Sequence, residues 1–129
     1  MASQSFFDLE CSNRDVKVVG GRFDITGASG AINSTKFGIG FSLEKLSGDG
    51  EYKLTLDKSY TGLFHVSTRH YEFSAGSIEL QVVVTAENVA AATPTVTIQC
   101  VNTTNGSPAN PPSGDDISFC LFLLDGEVS

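Results

Sequence analysis

At 129 residues the chain suffices for one domain and not for two. A hydrophobic fraction of 40% can fill a core, while a formal net charge of −7, with the eight Lys and Arg scattered, excludes direct nucleic-acid binding, which needs clustered cations against phosphate. No apolar run approaches the roughly 20 residues of a membrane span. The N-terminus carries no basic region and no apolar stretch of signal-peptide length, so the chain is expected in a cytosol, away from membranes.

Taken in order, Met1 to Asp15 shows no strand period. Phe6, Phe7 and Leu9 are apolar there, and two readings stand: an arm that docks on a neighbouring molecule, or a segment packed on its own subunit. Val16 to Val19 is β-branched and predicts a strand that continues past Gly20-Gly21 to Ile25, with the double glycine marking a bulge or bend. Thr26 to Gly30 reads as a flexible loop and Ala31 to Thr35 as irregular chain. The strongest local pattern follows. In Lys36 to Leu46, Phe37, Ile39, Phe41 and Leu43 alternate with small or polar residues, and in Glu51 to Leu56, Tyr52, Leu54 and Leu56 do the same. The glycine-rich Ser47 to Gly50 joins them as a hairpin, expected in the middle of an antiparallel sheet that a second layer must cover.

Beyond a turn at Thr61-Gly62, Leu63 to Arg69 predicts a strand that His70 to Phe73 prolong. Ser77 to Thr85 is a further strand, with Ile78, Leu80, Val82 and Val84 on one face. Ala86 to Ala92 reads as a loop or single turn before Pro94. Thr95 to Val101 alternates with Val96, Ile98 and Cys100 inward. Asn102 to Asp116 is rich in Asn, Thr, Gly, Ser and Pro and predicts a long exposed loop, where function often sits; Asn102, Asn105 and Asn110 are its candidate interaction residues, beside Phe6, Phe7 and Leu9 of the arm. Ile117 to Leu124 is apolar on both faces, as expected of a central strand or a strand at a subunit interface. The sum is an all-β chain: a single-domain antiparallel β-sandwich, jelly-roll-like, of about seven or eight strands. Its organisation is an N-terminal arm (1–15), the sandwich (16–124) and a short tail (125–129).

No catalytic constellation emerges. His70-Tyr-Glu72 has the H-x-E spacing of zinc deaminases but lacks their downstream P-C-x-x-C pair. His65 and His70 are an odd number of residues apart and face opposite ways on one strand, so they do not share a metal. Gly38-Ile-Gly40 lacks the third glycine and the helix of a phosphate loop. Cys11, Cys100 and Cys120 are expected as reduced thiols packed as small hydrophobes; Cys100 and Cys120, on strands predicted to be neighbours, lie in apolar runs that raise a thiol's pKa. Asp115-Asp116 has too few regularly spaced oxygens for a Ca²⁺ loop and reads as a solvated loop end. The Asn-x-Ser/Thr triplets at Asn33, Asn102 and Asn105 read as loop composition. The expectation is no enzyme, no cofactor and no metal.

Several stretches together resemble a known class. They are Asp15 to Phe23 with its double glycine, the small-residue loop Thr26 to Gly30, the segment Gly38 to Leu56, the Tyr60 to Leu63 turn, Val96 to Ile98, the Gly/Asn/Pro loop and the apolar strand Ile117 to Leu124. In glycine placement and strand order the chain resembles small bacteriophage virion proteins of the capsid decoration (cement) and head-fibre type, over residues 15 to 124. The resemblance implies a structural protein of the virion, assembled in the bacterial cytoplasm. It implies a homotrimer that binds the major capsid protein or other virion proteins through the N-terminal arm and one edge of the sandwich. The three cysteines and the long Asn102 to Asp116 loop depart from the pattern and leave open a receptor- or glycan-binding module of a tail or fibre.

Overall fold

A computed structural model of the protein describes residues 15–74 and 78–125. Their strands, in chain order, are β1 (Asp15–Thr26), β2 (Ala31–Phe37), β3 (Phe41–Lys45), β4 (Glu51–Leu56), β5 (Gly62–Tyr71), β6 (Leu80–Asn88), β7 (Thr95–Asn102) and β8 (Asp116–Asp125). They form two four-stranded antiparallel sheets, sheet A in the order β2-β1-β8-β5 and sheet B in the order β3-β4-β7-β6. The result is the all-β, two-layered architecture of a β-sandwich. No helix among the described residues is long and apolar enough to cross a membrane.

The period-two pattern builds the core. Val19, Phe23 and Ile25 of β1 and Ile117, Phe119, Leu121 and Leu123 of β8 point inward from sheet A. Tyr52, Leu54 and Leu56 of β4 and Val96, Ile98 and Cys100 of β7 point inward from sheet B. Burying one large aliphatic or aromatic side chain of this kind stabilises the fold by about 1.5–3 kcal/mol, and the two inward sets form one continuous cluster. The Tyr52 ring lies 5.1 Å from that of Phe23, and its hydroxyl donates to the Gly30 carbonyl at 2.6 Å, so this buried polar tip is satisfied.

Four expectations are corrected. The first arm of the hairpin is not one strand. Gly38 (φ 116°) and Gly40 (φ 92°) break it, so that β2 joins the edge of sheet A and β3 the edge of sheet B. The β3–β4 hairpin therefore lies at a sheet edge instead of the middle, and Ile39, in the crossover, is 90% exposed. Ala31 to Thr35 is ordered strand, held by pairing to β1. Gly20-Gly21 makes no bulge against β8, whose register runs unbroken past it. Gly21 instead makes room: a Cβ there would stand 2.4 Å from the Phe41 ring, which packs edge-on against Phe119 at 4.9 Å. Finally, β6 continues through the helix-forming Ala86 to Asn88 because pairing with β7 outweighs local propensity. The expected start of that strand at Ser77 lies outside the described residues.

Candidate functional site

Asp115 and Asp116 are both fully buried, which overturns the reading of a solvated loop end. Alternation at the start of β8 sends them to opposite faces of sheet A. Asp115 turns inward. One of its oxygens meets His70 Nε2 at 2.7 Å, and the other accepts from the backbone N–H of Phe73 and Ser74 and from the Ser74 hydroxyl. It ties the chain after β5 to the start of β8. Asp116 turns outward and accepts from Arg22 Nε at 2.7 Å and from Lys36 Nζ at 2.9 Å. The Arg22 guanidinium lies 3.9 Å from the centre of the Tyr71 ring, and Tyr71 and Phe73 are stacked at 5.9 Å. Both acids are thus structural anchors. Among the described residues no group of three or more His, Cys, Asp or Glu could hold a metal.

The rest of the outer face of sheet A is apolar at its other end. Register places Val16 beside Leu124, and Val18 beside Phe122, which is followed by His65. The His65 and Phe122 rings are 5.6 Å apart. Val18 is 55% exposed and Phe64, at the β5 irregularity, 50% exposed, with Phe122, Leu124 and Cys120 half-buried around them. So β8 is a central strand that also presents an apolar outer side. Adjacent exposed apolar side chains on one face are the usual mark of a contact surface.

A groove of about 510 Å³ opens where the free edge of sheet A meets that of sheet B. Thr68, Arg69 and His70 of β5 line one side and Leu80, Gln81 and Val82 of β6 the other, with Glu72, Glu79 and Thr103 from the flanking chain. His70 and Glu72 therefore do share a cleft. The His70 side chain is only 2% exposed and its Nε2 is committed to Asp115, so the pair is no metal centre.

The residues singled out from sequence do not converge. Phe6, Phe7 and Leu9 lie outside the described residues, as does Cys11. Asn102 and Asn105 each close a local turn, accepting from the N–H of Thr104 and Ser107. Asn110 accepts from the Gly50 N–H at 2.6 Å and binds the loop to the β3–β4 turn. The Asn102 to Asp116 loop is pinned further by Ala109 N–H to the Cys100 carbonyl and Gly114 N–H to that of Ile25, and Pro111 is buried. Cys100 and Cys120 are free thiols on different sheets, not neighbouring strands. Burial pushes the Cys100 thiol up to about 12, as expected for a packing residue. His65 and His70 do face opposite sides of β5. Compared with family models, curated proteins and solved structures, the chain matches none.

Proposed function

We propose that the protein is a structural module, not an enzyme, that works by contact. It self-associates as a homotrimer through the outer face of sheet A and decorates a larger particle. Carrying the reading is the apolar row Val18–Phe122, with Phe64 and Leu124 beside it, left open on an otherwise well-packed sandwich. Two further copies turning the same row to a shared threefold axis would cover it, and closed symmetry would keep the assembly finite. The partner class comes from the resemblance in glycine placement and strand order: a bacteriophage head, with the major capsid protein beneath and the virion as final location. Several weak contacts made at once give such an oligomer its hold on a shell.

The experiment compares phage heads carrying the protein with heads stripped of it. Decorated heads should keep their DNA at higher temperature and lower salt, and adding the protein back should restore this. Equal release from both preparations sinks the cement reading.

A further inference from the structure

The groove between β5 and β6 lies between two strand edges that are unpaired among the described residues, where backbone groups are open to another chain. We propose that it accepts an extended peptide segment bearing a basic side chain, which adds as a strand along β6. This goes beyond self-association and shell decoration, since it assigns a separate partner-binding edge.

Three observations carry it. First, the backbone of β6 points the right way. The Glu79 carbonyl accepts from the Thr103 N–H at 3.2 Å, on the β7 side. The Val82 carbonyl instead accepts from the Thr68 hydroxyl at 3.2 Å, on the β5 side. Strand backbones alternate in direction every residue, so Leu80, like Val82, offers its N–H and C=O to the groove. Second, the Thr68 hydroxyl occupies the place of an incoming backbone donor at Val82, an exchangeable stopper. Third, two carboxylates, Glu72 and Glu79, line the groove against one cation, Arg69, which lies 5.6 Å from the centre of the Tyr71 ring, and neither carboxylate is in an ion pair among the described residues. An entering segment that brings Lys or Arg meets that charge, and the chain's net charge of −7 favours its approach. Main-chain hydrogen bonds would supply affinity and the carboxylates selectivity, as in other cases of strand addition.

The test titrates the isotopically labelled full chain, followed by amide NMR, with capped peptides of alternating Val and Lys. Matched probes are the same peptide N-methylated along one edge, the Val and Glu analogue, and spermidine as a free cation. Saturable shifts at Leu80, Gln81 and Val82 with the Lys peptide alone are expected. The double variant Glu72→Gln/Glu79→Gln, both positions exposed, should weaken binding about tenfold while its unfolding temperature stays put. Equal binding of the N-methylated peptide or of spermidine, shifts centred elsewhere, or an unaffected double variant would each overturn the proposal.

Discussion

Asp115 and Asp116 show how much one residue of offset decides. Asp115 is held by neutral donors and the His70 ring, while Asp116 relies on two cations, Arg22 and Lys36, that keep partial contact with water. Replacing Asp116 with Asn leaves those cations without their counter-ion, and urea unfolding should register a loss of about 3 kcal/mol, the low end for a broken buried pair. Cys100 gives the pH signature. Its thiol has an ordinary value of 9.0 and is pushed up to about 12 in the folded protein. The folded state therefore holds its proton longer than the unfolded chain. That contribution is complete below pH 9 and is lost as pH rises from 9 towards about 12. Tyr52, raised by burial from its usual 10.0, adds in the same direction at still higher pH. Thermal unfolding should fall above pH 9, and Cys100→Ala should flatten the first part of that fall while lowering the plateau through lost packing.

At the scale of the element, the break between β2 and β3 decides the topology, because it sends successive strands to different sheets. Gly38 carries it: at φ 116° any side chain is strained, and its Cβ would stand 2.5 Å from the Gly20 carbonyl oxygen. Gly38→Ala should therefore cost at least about 2 kcal/mol, whereas Gly27→Ala, at φ 75° with nothing within 4 Å, should cost about 1 kcal/mol for the left-handed backbone alone. Denaturant melts of the two variants check the difference. This element also marks where the sequence stops being legible. Alternation in Tyr52–Leu56 and Val96–Cys100 reveals inward faces because burial leaves a period of two, whereas Ile117–Leu124 is apolar on both faces and reads only as a central or interface strand. The same alternation runs through Phe37, Ile39 and Phe41, yet the positive φ of Gly38 and Gly40 cuts it. Likewise the partners of Asp116 stand 94 and 80 residues away in the chain, so no local pattern announces its burial. The groove is hidden for another reason: β5 and β6 follow one another in the chain, but nothing in their alternation says that they edge different sheets.

For the whole molecule, the two surfaces divide the work. Packing residues fill the space between the sheets, and the apolar row on the outer face of sheet A has no such duty in one copy. Among the described residues nothing covers the exposed valine and phenylalanine there, and a second chain would remove them from water. The charged cluster of Arg22, Lys36 and Asp116 sits at the far end of that face, away from Val18 and Phe122. The most direct measurement is the solution mass, by sedimentation equilibrium, of the native chain and of Val18→Glu. Native protein should sediment as a homotrimer and the variant as a folded monomer, with an unchanged far-ultraviolet circular dichroism spectrum. A monomeric native chain, or a variant with the native mass, would contradict the assignment of that face to self-association.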